Sequence, residues 1–216
     1  MHGEPDYRFK VVVIGAPGSG KTAIVDQLIE KKFNEKPKTT VGVDYRPYRV
    51  EVEEFVLQLE LWDTAGQEAY KAVAKTYFRD AVGCVLVFDV TSQNSFDELS
   101  FWLTQYRELA DPKSVIILVG NKVDLANDRV ISQETGENYA KSGNMLYYET
   151  SAVTAQNIQD VFQKLGHDIF KLVRGGEMFV DQSGHATTKP QEKKTAAQRS
   201  VELTAEMEGM NSGCAC

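Results

Sequence analysis

The stretch Phe9–Glu30, "FKVVVIGAPGSGKTAIVDQLIE", decides the fold. Its first part, Phe9–Gly15, reads as a strand buried inside a sheet. Its last part, extended to "KTAIVDQLIEKKF" (Lys21–Phe33), reads as a helix. A Gly-rich loop joins them. Strand, glycine loop and helix in this order start a parallel β-α unit.

The unit recurs. "VGCVLVFDV" (Val82–Val90) and "SVIILVGNK" (Ser114–Lys122) are two more fully buried strands. Helical patterns follow them, over about Ser95–Ala110 and over Gln133–Ser142. "MLYYE" (Met145–Glu149) is a short strand before a last helix, about Ala155–Val173, whose apolar residues recur mainly at three- and four-residue steps. "YRPYRVEVEE" (Tyr45–Glu54) and "FVLQLELWD" (Phe55–Asp63) alternate and are joined by a tight turn. The expected class is α/β, a mostly parallel sheet with helices on both faces. Ligands bind such sheets outside the carboxyl ends of the strands. After Arg174 the periodicity stops. Residues 1–174 read as one domain and 175–216 as a mostly disordered tail.

The totals narrow the function. The chain has 216 residues, 42% hydrophobic and 25% charged, as in ordinary globular proteins. A net charge of −7 argues against nucleic acid as a partner, since phosphate tracking wants a basic excess. It leaves room for a mononucleotide, which needs only a local cradle. No apolar run reaches bilayer length, and "MHGEPDYRF" has no signal-peptide pattern. The three cysteines then fit a reducing, cytosolic setting. Cys84, inside an apolar strand, reads as a small buried side chain.

"GAPGSGKT", Gly15–Thr22, is the G-x-x-x-x-G-K-[ST] pattern in its strand-loop-helix context. Glycines let the backbone approach phosphates so that successive amides face one anion, and the helix start adds partial positive charge. Candidate contacts run over Gly15, Pro17, Gly18, Ser19, Gly20, Lys21, Thr22 and Ala23. Lys21 reaches the β- and γ-phosphates, and the Thr22 hydroxyl ligates Mg²⁺. The motif indicates a nucleoside triphosphate without saying which.

"NKVD", Asn121–Asp124, names the base. A carboxylate at Asp124 can accept from guanine N1–H and its 2-amino group. Adenine offers an acceptor at N1 and no 2-amino group. A polar site left unpaired in this way rejects an analogue by about 10⁴–10⁵. Lys122 lays its stem along the base, and Asn121 ties this loop to the phosphate loop. The backbone of "TSA" (Thr150–Ala152), through Ser151 and Ala152, can donate to guanine O6. Alone, N-K-x-D also occurs in surface turns; the phosphate loop and "TSA" give it meaning.

"WDTAGQE" (Trp62–Glu68) supplies Asp63 for Mg²⁺ through water, the Gly66 amide for a γ-phosphate oxygen, and Gln67 to orient the attacking water. "KTTVGVDY" (Lys38–Tyr45) offers Thr40, whose hydroxyl and amide grip Mg²⁺ and γ-phosphate together; alone, Thr40 would read as a strand-edge threonine.

In order and spacing these elements resemble the Ras-like small GTPases, specifically the Rab branch, over about Phe9–Val173. "VGVDY", "LELWDTAGQE" and "YFRDAVGCVLVFDVT" carry the likeness to that branch. The resemblance implies the P-loop NTPase fold of a Ras-like G domain, six strands with one antiparallel. It implies a monomeric GTP hydrolase cycling between GTP and GDP with Mg²⁺, whose loops order around γ-phosphate and relax afterwards. It also implies an exchange factor, an activating protein, effectors and a carrier for lipid chains. Phe33, seven residues before Thr40, matches the aromatic that packs on guanine; its plainer reading closes the first helix onto the core. Such sites are slow alone, on the order of 10⁻⁴ to 10⁻² per second, and a partner's arginine accelerates them.

Several positions depart from the family pattern. Pro17 has no N–H and lies where a small residue is usual, near γ-phosphate and Gln67. It bears on hydrolysis in either direction, which single-turnover comparison with Pro17→Gly reads out. Pro37 replaces a closing tyrosine, so faster nucleotide release is expected, and Pro37→Tyr would slow it. "QEAYKAV" (Gln67–Val73), with Ala69 and Lys71, leaves effector choice open. Trp62, Tyr70 and Tyr77 are expected on an apolar partner surface, with core packing the default for Trp62 and Tyr77.

The chain closes on "NSGCAC" (Asn211–Cys216). A Cys-x-Cys disulfide is strained and reducible, and two thiolates alone are a poor zinc site. Cys214 and Cys216 resemble instead the Rab double-prenylation signal. One lipid chain holds a membrane only marginally, and two anchor it stably. The expected location is the cytosolic face of vesicle or organelle membranes, with a soluble carrier-bound pool. The rival readings are a GTP-binding scaffold with negligible hydrolysis, favoured by Pro17 and opposed by Gln67, and a P-loop ATPase or kinase, opposed by Asp124.

Overall fold

The apolar run of the first motif forms β1 (Tyr7–Gly15), which is the third strand of a six-stranded sheet. A computed structural model describes residues 3–34, 42–64, 76–181 and 185–187. Helix α1 (Lys21–Glu30) follows the loop. It stops three residues short of the expected end because Lys31 turns left-handed, at φ 56°. Strands β2 (Val43–Val52) and β3 (Phe55–Thr64) make the hairpin, turning at Glu53, also at positive φ. Pro47 lies in β2, where an edge strand tolerates its missing N–H.

Strand β4 (Gly83–Asp89) is buried at every residue. The helix expected over Ser95–Ala110 appears as α2 (Gln93–Asp97) and α3 (Leu99–Leu109), separated at Glu98. Strand β5 (Val115–Asn121), helix α4 (Gln133–Ser142), strand β6 (Leu146–Thr150) and helix α5 (Ile158–Arg174) complete the domain. Ser132 caps α4 by accepting from Thr135 N. Helix α5 starts later than expected, after Ala155 and Asn157 at positive φ.

The sheet order is β2-β3-β1-β4-β5-β6. Only the β2–β3 pair is antiparallel. One core layer packs α1 and α5 on one face of the sheet, through Leu28, Phe162 and Ile169. The other packs α3 on the opposite face, through Trp102 and Tyr106. Both layers leave the carboxyl ends of β1, β3, β4, β5 and β6 at one rim, where the chemistry collects.

Order continues beyond Arg174, where the sequence reads as tail. Short strands β7 (Phe179–Val180) and β8 (Ala186–Thr187) pair antiparallel, Met178 is buried at 2% exposure, and His185 bridges to Arg8. The reason is geometric. Strand β4 joins β1 only from Val11 onward, so the start of β1 has an open side that this segment approaches. Among the described residues no helix is long and apolar enough to cross a membrane.

Candidate nucleotide site

Two glycines shape the loop. Gly15 ends β1 at φ +142°, and a Cβ there would lie 2.0 Å from the Val87 carbonyl oxygen on β4. Gly20 sits at φ +95°, and a Cβ there would lie 2.2 Å from Asn121 Nδ2. No other residue fits either place. The space beside Gly20 lets Asn121 Nδ2 donate to the Ser19 carbonyl at 3.0 Å. Asn121 Oδ1 accepts from Thr150 Oγ1 at 3.1 Å. The phosphate loop and the ends of β5 and β6 are thus laced by one buried amide.

Lys21 is 5% exposed and donates its Nζ to the carbonyls of Gly15 (3.0 Å) and Ala16 (2.9 Å). Burial lowers its pKa to about 8, against the pull of Asp63 and Glu98. Asp63, near the end of β3, is 1% exposed. Burial raises its pKa to about 6, although the Thr22 hydrogen bond and Lys21 pull it down. Thr22 Oγ1 donates to Asp63 Oδ2 at 2.6 Å, while buried Asp63 Oδ1 has no hydrogen-bond partner among the described residues. A hydroxyl, a carboxylate and an ammonium therefore converge beneath the loop.

The oxygen donors fit Mg²⁺. That ion takes one or two protein oxygens and completes its shell with phosphates and water. Among the described residues no group of three or more His, Cys, Asp or Glu side chains forms a metal cage. The orphaned Asp63 oxygen beside a threonine hydroxyl suits an ion shared with phosphates.

At the base end, Ser151 Oγ donates to Asp124 Oδ1 at 2.6 Å and accepts from Thr154 N. Val123 N donates to the Thr150 carbonyl, tying the "NKVD" loop to "TSA". Lys122 adopts φ 69° and sets its Nζ 2.6 Å from Asp89 Oδ2. Asp89 in turn accepts from the Thr91 amide and hydroxyl. Ala152 is buried beside this loop. Phe33 is 41% exposed, so the reading that buries it in the core does not apply.

Three groups here escape the sequence reading: Asp89, the Thr150 hydroxyl and the Ser151 hydroxyl. Only Asp89 carried a signal, a charged residue ending a fully apolar strand. Pro17 and Gly18 stand exposed at the outer bend of the loop, and Ser19 is buried beneath it. Trp62 is half-buried between Tyr45 and Tyr77, with ring centroids 5.1 and 5.0 Å away. Pro37, Thr40, Gly66, Gln67, Ala69, Tyr70, Lys71, Cys214 and Cys216 lie outside the described residues. An open groove of about 460 Å³ along α4 and β6 lies away from the loop; its Glu149 is committed to Arg129.

Comparison with known proteins identifies this arrangement. The Ras family pattern matches residues 10–171. The GTP-binding protein ypt3 of Schizosaccharomyces pombe is 41% identical over 170 residues, covering 79% of each chain. The Ras-related protein Rab-4B of Homo sapiens is 37% identical over 179 residues, 83% of this chain and 84% of its own. The Ras-related protein RABA1b of Arabidopsis thaliana is 36% identical over 188 residues, 87% of each. Likeness of this extent brings guanine-nucleotide binding and the family's regulators and effectors as a class. The chain belongs to the Ras family: it is a Rab-type small GTPase, a GTP hydrolase of vesicle trafficking.

Proposed function

We propose that Gly15–Ala23 wraps the phosphates, that Asp124 reads guanine, and that Thr22, Asp63 and Thr40 hold Mg²⁺. The observation that carries this reading is the Asp124 carboxylate, held by Ser151 at 2.6 Å at the carboxyl rim of the sheet. A carboxylate fixed before binding pays no ordering cost when guanine arrives. Asn121 keeps the base loop and the phosphate loop at constant spacing. Lys21 exchanges its two loop carbonyls for phosphate oxygens, which offset the cost of its buried charge. When bound, Mg²⁺ supplies further neutralisation of phosphate charge. Gln67 orients the attacking water, the Gly66 amide meets γ-phosphate, and Phe33 covers the base. The residues place and polarise; phosphoryl transfer needs little else from the protein.

Competition against a fluorescent GDP analogue tests the reading. We expect GDP and GTP to displace it, and ATP to require at least about 10⁴-fold more. Inosine diphosphate, which lacks the 2-amino group, should fall between them. Equal displacement by ATP would sink the assignment of Asp124.

The remainder concerns the cell. Cys214 and Cys216 carry the lipid chains, residues 188–216 act as the tether, and the protein works on the cytosolic face of intracellular membranes with a carrier-bound soluble pool. Support comes from the C-x-C pair of Cys214 and Cys216 that follows this domain and from two-chain anchoring energetics. The form with both cysteines changed to serine should be wholly soluble in cell fractionation while binding GDP normally. Unchanged membrane recovery would remove the cysteines from anchoring.

A further inference from the structure

We propose that Arg46 is a positioning residue for the cation end of the site: its guanidinium ties helix α1 to strand β2 and so keeps Thr22 against Asp63. The inference rests on the reading that Thr22 and Asp63 hold Mg²⁺.

Thr22, Asp26 and Glu30 recur at four-residue steps and share one face of α1. Arg46, on β2, meets that face. Its Nη2 pairs with Asp26 Oδ1, its Nη1 with Glu30 Oε1 at 3.2 Å, and its Nε with Asp44 Oδ2 at 3.1 Å. One planar fork therefore engages two successive turns of the helix and its own strand. In the antiparallel register Asp44 lies opposite Asp63, and Arg46 opposite Leu61. The clamp sits two residues from the strand partner of Asp63, and its helix contact begins one turn below Thr22.

Beyond the Lys21 and Thr22 bonds of its first turn, α1 meets the core through the apolar Ile24, Val25 and Leu28. Apolar packing is non-directional and resists rotation weakly. Two directional charge-assisted bonds, to Asp26 and Glu30, set the roll and advance of the helix, and the third, to Asp44, holds the guanidinium against its own strand. Arg46 and Asp26 are 27% and 28% exposed, so salt screens them less than an open surface pair. A lysine presents its donors from a single nitrogen and does not match three carboxylates spread around a planar fork.

Charge and position act in opposite directions here, which makes the idea testable. Removing Arg46 leaves Asp26, Glu30 and Asp44 uncompensated near the site. By charge alone, that change tightens a divalent cation. Loss of positioning weakens it, because ligand sets tolerate little displacement.

The experiment measures release of fluorescent GDP from the full chain against free Mg²⁺. We expect Arg46→Gln to need about fivefold more Mg²⁺ for half-maximal retention, a modest share of what an ångström of misplacement costs. Arg46→Lys should fall between it and the unmodified chain. An Arg46→Gln requirement that is unchanged or lower overturns the proposal. Should Arg46→Gln fail to fold, the absence of any shift in Arg46→Lys overturns it equally. Retention that ignores Mg²⁺ in the unmodified chain instead overturns the assignment of Thr22 and Asp63, and the inference with it.

Discussion

Asp63 and Lys21 are both charged at neutral pH in surroundings that favour their neutral forms. The folded pKa of Asp63 is raised to about 6, so its contribution to stability is full at low pH and is lost as pH rises through about 6. That of Lys21 is lowered to about 8, so its contribution is full at high pH and is lost as pH falls through about 8. Between those values the nucleotide-free protein bears both costs. On the proposed reading phosphate and a divalent cation relieve them, and a buried pair with perturbed pKa values is a candidate binding site rather than ordinary core. We expect Asp63→Asn to stabilise the nucleotide-free protein by about 1–2 kcal/mol at pH 7.5, with the gain shrinking as pH falls below about 6 and vanishing below about pH 4, where the unfolded carboxylate is protonated too. The same change should abolish Mg²⁺-dependent GDP retention. Calorimetry at the two pH values checks it; a variant no more stable at pH 7.5 contradicts the account. Residue types and their order singled out Asp63, Lys21 and Thr22, and the fold brings the three together. The Ser151–Asp124 bond was illegible, because a serine in a loop gives no sign of where its hydroxyl points.

Elements were read with most success where one local signal dominates. Helix α4 matches its expected bounds because Ser132 caps it and Gly143 ends it. Helix α1 ends early because Lys31 takes a left-handed conformation that its residue type does not announce. The α2–α3 break likewise has no proline or glycine to mark it. The junction of β1 and α1 depends on Gly20. Alanine there meets strain from positive φ and a collision with Asn121 Nδ2, so the Asn121–Ser19 bond must break. We expect Gly20→Ala to lose about 2–4 kcal/mol of stability and to weaken nucleotide binding. Gly18→Ala, at φ +74° with nothing within 4 Å of the added carbon, should lose only about 1–2 kcal/mol. Chemical denaturation of both variants separates them; equal losses would show that backbone strain, not the amide lacing, governs Gly20.

At the scale of the molecule, the segment after α5 is part of the fold. Met178 N donates to the Leu172 carbonyl, Met178 and Ala186 are buried against the core, and His185 Nε2 lies 3.2 Å from Glu60 Oε2. We expect a chain ending at 187 to unfold like the full chain, and one ending at 174 to be about 2–4 kcal/mol less stable, chiefly from the loss of buried apolar area. Equal denaturation midpoints for the two truncated chains would show that 175–187 adds nothing. By itself the sequence determined the α/β class, the strand-loop-helix placement of the glycine-rich motif and the N-K-x-D tetrapeptide at the end of a buried strand. These are carried by periodicity and by residue types at fixed spacing, which are local properties. Only the tertiary structure decided that Asn121 laces the phosphate loop, that Arg46 spans α1 and β2, and that His185 returns to Arg8. Each joins residues far apart in the chain. Such pairings form only when the packed sheet and helices bring them together, so no local pattern records them.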